Sequence, residues 1–251
     1  MSVFVIADLH LSHTTNKPMD IFGARWENHT ERLRENWQSV VSPDDTVIIA
    51  GDISWGMRTD DALADLMFIE SLNGKKIIAK GNHDYWWQTM KKLYELRDSV
   101  GCQSIDFLFN NAYVVEDFII CGTRGWFPES NYGPDDEKIV NREVIRLKLS
   151  LDSAVALQKE CEAQNGFTPP VSVFLHFPPV WLDFICRPFV DTLHAYGDPA
   201  CYFGHIHGMY NAPKEFSFEN IPMRLVSSDA MDFTLYRLPP AHIHTDSEDL
   251  C

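Results

Sequence analysis

Five apolar runs along the chain each break off into a short polar block. The runs are residues 3–7 (VFVIA), 46–50 (TVIIA), 76–79 (KIIA), 171–175 (VSVFL) and 200–203 (ACYF). Four or five residues is strand length, and the β-branched and aromatic content predicts buried strands. After the first run, Trp26, Leu33, Trp37, Val40 and Val41 share one helical face, with Arg32, Arg34, Glu35 and Gln38 on the other. Ser42-Pro43-Asp44-Asp45 stops that helix before the second strand. From Thr59 a further helix is predicted to turn Leu63, Leu66, Met67, Ile69 and Leu72 inward, ending at Asn73-Gly74. This βαβαβ rhythm predicts a parallel sheet.

Beyond a helix predicted around residues 87–98 the pattern changes. Residues 112–116 and 118–122 are joined so tightly that they read as an antiparallel pair, the start of a second sheet. Residues 135–164 form a long helical stretch with Ile139, Val140, Val144, Leu147, Leu151 and Val155 inward; such a stripe marks a packed outer layer more often than a cap over a site. Two last strands are predicted at 223–227 and 233–238, and the polar tail after Pro239-Pro240, residues 239–251, is expected to fray. No linker composition or fixed-period repeat divides the 251 residues, so one domain over 1–251 is expected.

The polar blocks are Asp8-Leu9-His10, Gly51-Asp52, Gly81-Asn82-His83-Asp84, His176 and Gly204-His205-Ile206-His207. Each follows a predicted strand, which places them together at the carboxyl edge of the sheets, where open α/β folds bind ligands. Seven of these side chains, Asp8, His10, Asp52, Asn82, His176, His205 and His207, suit a pair of metal ions. Nitrogen and oxygen donors without thiolates favour Mn, Fe, Zn or Co. A formal charge of −15 disfavours a binder of long nucleic acid, which needs a basic face. It leaves a small phosphate substrate open, because bound cations would dominate the local field. Six scattered cysteines without a CxxC pair read as free thiols of a cytoplasmic protein, and no apolar stretch nears the ~20 residues of a membrane helix. His13, His29, His194, His242 and His244 belong to no block and read as structural or exposed.

The blocks resemble, in order, the five motifs D-x-H, G-D, G-N-H-D, H and G-H-x-H of the calcineurin-like metallophosphoesterase superfamily, and the chain looks most like its small bacterial and archaeal phosphohydrolases. The resemblance implies a four-layer αββα sandwich of two mixed sheets flanked by helices. It implies one metal held by Asp8, His10, Asp52 and His207, a second held by Asp52, Asn82, His176 and His205, and Asp52 as the bridge. The implied activity is hydrolysis of phosphate mono- or diesters by a metal-held hydroxide, with His83 protonating the leaving oxygen and Asp84 orienting His83. Asp84 has a rival reading as a helix N-cap. The phosphoprotein-phosphatase pattern G-D-x-x-D-R-G is broken here, since Trp55-Gly56 follows Ile53-Ser54, so a Ser/Thr protein phosphatase is disfavoured. Arg124, between glycines after a strand, is the replacement candidate for holding phosphate, with Arg58 as the fallback and a structural ion pair as the bland reading of Arg124. Rings follow the motifs at Trp55, Tyr85-Trp86-Trp87, Trp126-Phe127, Phe177, Trp181 and Tyr210, which favours a nucleotide or aryl ester as substrate, though each ring could equally pack a loop onto the core. The rival functions are a nuclease of the same superfamily and a non-catalytic protein-binding scaffold.

Overall fold

Three separate apolar clusters define three interfaces, and three interfaces need four layers. The structure, a computed structural model, describes residues 1–128 and 133–241; most of the expected frayed tail, with His242, His244 and Cys251, lies outside the described residues. One sheet holds β1 (Val3–Ile6), β2 (Thr46–Ala50), β3 (Lys75–Ala79) and β4 (Ile105–Leu108), all parallel, with β13 (Tyr236–Arg237) antiparallel to β1 at the edge. In the other sheet β6 (Phe118–Thr123), β7 (Val171–Leu175), β10 (Ala200–Phe203) and β12 (Ile221–Leu225) are parallel. Antiparallel strands β5 (Ala112–Val115) and β11 (Glu215–Phe218) close its two edges. A two-stranded ribbon, β8 (Val180–Trp181) with β9 (Phe184–Ile185), projects between β7 and the next helix.

The period-two alternation of strands distributes side chains between the layers. Val3, Val5 and Ala7 point between the sheets, meeting Ile120, Phe174, Tyr202 and Val226. Their neighbours Phe4 and Ile6 point the other way, onto Leu33 and Trp37 of α1 (His29–Val40), Leu66 and Ile69 of α2 (Thr59–Ser71) and Leu93 of α3 (Met90–Ser99). Behind the second sheet, Ile119, Cys121, Val173 and Phe203 pack on Val140, Leu147 and Leu151 of α4 (Pro134–Asn165) and on Phe189 and Leu193 of α5 (Arg187–Ala195). The long helix thus packs as the outer layer of the second sheet. A parallel bridge between Ala7 and Ser227 joins the sheets at their carboxyl ends, so the strand ends of both converge on one edge.

Several expectations need correction. Met67 and Val40 are exposed, at 56% and 52%. In α2 the inward stripe is Ala62, Leu66 and Ile69, with Asp65 and Phe68 beside it, and Met67 lies one residue, about 100°, further round. Leu63 is only half-buried. In α1 the stripe is His29, Leu33 and Trp37, and Val40 ends the helix facing out; Trp26 sits before it in a separate 3-10 turn. The last predicted strand is short, because Phe233 forms part of a turn packed on α1 and only Tyr236–Arg237 pairs with β1. Strands β4 and β11, the β8–β9 ribbon and helix α5 lacked a legible signal. No helix among the described residues is long and apolar enough to cross a membrane. Cys102, Cys121, Cys161, Cys186 and Cys201 are unpaired thiols.

Candidate metal centre and active site

The loops that leave the strand ends turn back sharply, and several turns are made at the predicted ligands themselves. Asp8, His10, Asp52 and His205 have φ of 60°, 47°, 52° and 69°. Left-handed backbone at non-glycine residues costs roughly 1–3 kcal/mol each, and such residues gather where a site over-determines them. The turns also require bare backbone alongside. A Cβ on Gly81 would lie 2.0 Å from Asp52 Oδ1, and one on Gly204 would lie 2.5 Å from Asp8 Oδ2.

These turns bring all seven predicted ligand side chains together. Asp8, His10 and His207 form one group whose donor atoms lie within 4.8 Å of one another; Asp52, His176 and His205 form a second. The first group shows His10 Nε2 and His207 Nε2 3.1 Å apart. In the second, Asn82 Oδ1 faces His176 Nε2 at 2.6 Å and His205 Nδ1 at 3.1 Å. Asp52 lies between the groups, with Oδ2 3.8 Å from His10 Nε2 and 3.4 Å from His176 Nε2. That Oδ2 atom is buried and has no hydrogen-bond partner among the described residues, while Oδ1 accepts the backbone N–H of His83 at 2.8 Å. A buried carboxylate oxygen facing two imidazoles, themselves facing other lone-pair donors, fits a cation centre. The N/O donor set fits a borderline-hard divalent ion.

Electrostatics sort these groups. Burial pushes His205 down to about 3 and holds His10 well below its usual range, so both present neutral lone pairs. Burial would also depress His176, but the Asp52 and Asp8 carboxylates raise it to about 9. Burial raises Asp8 to about 6. Asp52 resists the same burial and is held well below the carboxylate range by His176, His10 and His83. Asp52 is therefore the carboxylate of the pair held most firmly ionised.

Two carboxylates brace the ligands. Asp229, fully buried, accepts His207 Nδ1–H at 2.9 Å and the Gly208 N–H at 3.0 Å, fixing the tautomer that leaves Nε2 directed at His10. It was missed by sequence reasoning. A signal existed: Ser227-Ser228-Asp229 is one more polar block at the end of an apolar strand. Asp84 is equally buried, and its role differs from both expectations. Oδ1 accepts Ile53 N–H at 2.9 Å, Ser54 N–H at 3.2 Å and the Trp86 indole at 3.0 Å, and Oδ2 accepts Asp52 N–H at 3.0 Å and Gly81 N–H at 2.8 Å. Its oxygens are committed to those five donors, none of them the His83 ring, and the next helix begins at Met90 with Thr89 as its cap. Asp84 ties the β2 loop to the β3 loop.

His83 has a depressed pKa, chiefly from burial, and its ring centroid lies 4.4 Å from Trp55. It lines a cavity of about 370 Å³ with His10, His207, Met19, Phe22, Trp26, Trp55 and Tyr210. Of the expected rings, Trp55 and Tyr210 therefore form walls and Trp26 joins them, whereas Trp86, Trp87 and Trp181 are buried in the core. Arg124 lies on the other flank. Its carbonyl accepts the N–H groups of His176 and Phe177, and its guanidinium stands over the Phe177 ring, which is 4.4 Å from His205. Arg58 is exposed at the start of α2.

Residues 1–209 match the family described as calcineurin-like phosphoesterase. The chain belongs to that family. A phage relative, the Gene 66 protein of Mycobacterium phage L5, is 38% identical over 78 residues, which cover 31% of this chain and only 37% of that protein. Among solved structures, the phosphopantetheinyl hydrolase PptH of Mycobacterium tuberculosis superposes with a TM-score of 0.51 at 16% identity, covering 95% of this chain and 96% of PptH. TT1561 of Thermus thermophilus gives a TM-score of 0.55 at 8% identity, covering 94% and 96%. At such identities these two likenesses concern the fold. Beside this family membership stand two donor groups, each able to hold a metal ion.

Proposed function

We propose that the protein is a binuclear phosphoesterase whose ions are held by Asp8, His10, Asp52 and His207 on one side and by Asp52, Asn82, His176 and His205 on the other. The observation that carries this reading is the buried, unpartnered Oδ2 of Asp52, within 4 Å of imidazoles from both groups. Two divalent ions, when bound, supply a lowered water pKa and withdraw charge from the phosphate oxygens. The chain supplies the rest. Asp84 and Asp229 hold the ligand loops in register, so little reorganisation is left for the moment of reaction. His83 is the proposed proton donor to the leaving oxygen, since its ring borders both the donor groups and the cavity. Arg124 is the proposed contact for the substrate's anionic charge.

The cavity argues for the leaving group. Its walls are Trp26, Trp55, Tyr210, Met19 and Phe22, with Lys17 Nζ 3.7 Å from the Trp55 centroid and the Arg25 guanidinium over Tyr210. Flat aromatic walls edged by cations suit a nucleotide or aryl ester better than a bare alkyl phosphate. A nuclease acting on long strands fits poorly with the net charge of −15.

Turnover of p-nitrophenyl phosphate, bis(p-nitrophenyl) phosphate and a short DNA single strand, each with Mn(II), separates the alternatives. The expected result is ester hydrolysis abolished by chelation and restored by metal. No hydrolysis of any ester with Mn, Fe, Zn or Co would favour the protein-binding scaffold instead.

A further inference from the structure

On a chain with a net charge of −15, three guanidiniums crowd one edge of the site. Their centre is Glu143, fully buried on α4 although its neighbours along the helix stripe are Val140 and Leu147. Its Oε2 accepts the Thr123 hydroxyl at 2.9 Å. Its Oε1 receives Arg146 Nη1 at 2.6 Å and Arg142 Nε at 3.3 Å, and Arg124 Nη2 lies 3.9 Å away.

A buried carboxylate needs one well-placed guanidinium to be neutralised. Here one negative charge faces three guanidiniums. No carboxylate other than Glu143 forms an ion pair with these guanidiniums among the described residues. Among them Arg124 finds no hydrogen-bond acceptor for its guanidinium, and its Nε is buried without a partner. The like charges of Arg142 and Arg146 would drive mobile side chains apart, yet Glu143 holds them beside Arg124. Such a fork of planar donors is what a phosphate or other oxyanion engages, two oxygens at a time.

The placement matters as much as the charge. Thr123 is opposite Leu175 in the sheet, so Arg124 follows at the level of ligand His176, to whose N–H its carbonyl is bonded. The aromatic cavity opens on the other flank, from the loops after β1, β2 and β10. Resting on the phosphoesterase reading, we infer that Arg142 and Arg146, which share Glu143 with Arg124, form a second anion subsite next to the Arg124 contact, and that the preferred substrate carries a further phosphate-like group besides the one hydrolysed. The aromatic slot and the arginine fork then grip opposite sides of the scissile ester.

The test compares adenosine 3′,5′-bisphosphate with adenosine 5′-monophosphate and p-nitrophenyl phosphate, in wild type and in Arg142→Gln/Arg146→Gln. Wild type should favour the bisphosphate in kcat/KM by ~10-fold or more, the scale of a lost charge-assisted contact. The double variant should lose that preference while turning over p-nitrophenyl phosphate within about two-fold of wild type. Arg146 partners a buried carboxylate, so thermal unfolding is measured in parallel and the half-exposed Arg142→Gln alone provides a variant that keeps the Arg146–Glu143 pair. Equal use of one- and two-phosphate substrates by wild type, or a preference untouched in both variants, overturns the subsite. If no ester is hydrolysed at all, the phosphoesterase reading fails separately. Calorimetric binding of the bisphosphate to chelator-treated protein then decides the subsite: binding weakened in Arg142→Gln supports it, and binding absent or unchanged overturns it.

Discussion

Asp84→Asn exchanges one oxygen for an amide nitrogen and should loosen the edge on which the ligands stand. An amide offers one acceptor atom where the carboxylate offers two. With the oxygen at the Oδ1 position, the N–H groups of Asp52 and Gly81 face an NH2 group; with it at Oδ2, those of Ile53 and Ser54 and the Trp86 indole do. At least two buried donors lose their acceptor in either orientation. A buried donor left unsatisfied costs ~1–3 kcal/mol, so the substitution should destabilise by roughly 2–6 kcal/mol. That is a large share of the ~5–15 kcal/mol that typically holds a domain folded. At ~2–4 °C per kcal/mol for a chain of this size, a mid-range loss lowers Tm by about 10 °C. Urea unfolding followed by tryptophan fluorescence reads the stability, and elemental analysis of the folded variant reads metal retention, which should also fall because Asp52 and Asn82 stand on the loosened loops. An unfolding free energy within about 0.5 kcal/mol of wild type, the scale of a surface change, together with lost activity would refute this account. It would return Asp84 to an orienting role toward His83.

Asp52→Asn should leave at most one ion per chain by elemental analysis and remove most activity; full retention of two ions would sink the bridging assignment. His83→Ala should keep the metal content but lower kcat by ~10²-fold or more for alkyl esters and by less for p-nitrophenyl esters, whose leaving oxygen needs little protonation; an equal loss for both would rule out proton donation. Lys76→Met should destabilise by ~3 kcal/mol in urea titrations, because its Nζ donates to the carbonyls of Leu72, Gly74 and Glu70 at the end of α2 and these would be left bare. The Arg187–Glu219–His194–Asp198 cluster should show opposite pH limits: hydrogen bonds from Arg187 and His194 lower Glu219 to about 2, so its contribution is present above ~4.5 and fades as pH falls toward 2, whereas bonds to Asp198 and Glu219 raise His194, so its contribution is full below ~6.5 and fades as pH rises through its raised value. An NMR titration of His194 should therefore give a midpoint above ~6.5 that drops in Glu219→Gln, and no drop would detach His194 from Glu219.

What the sequence reveals and hides follows from the range of each interaction. The ligand strands are legible because a strand buried on both faces must be apolar throughout, so Asp8, Asp52, Asn82 and His205 stand out at its end. The edge strand β11 reads poorly because only one face is covered: Glu215 and Ser217 point out and Phe216 and Phe218 are half-buried. Asp84 and Asp229 themselves stand in polar blocks at strand ends, but their bracing role is hidden for another reason, since most of the N–H groups they accept belong to the backbone, which no side-chain pattern records. A sharper reading of periodicity would have found two more. Asp65 lies three residues after Ala62 and four before Ile69, and Glu143 lies three after Val140 and four before Leu147, each a charge within an apolar stripe. A carboxylate on a stripe must find a partner inside, because burying an unpaired charge costs more than the fold can spare. Asp65 finds His13 Nδ1 at 2.7 Å and the Ser54 hydroxyl, both on ligand loops, and Glu143 finds Arg124 beside His176. Charges within helix stripes therefore mark where the outer layers reach through toward the site, and in this chain both lead to the strand ends that carry the ligands.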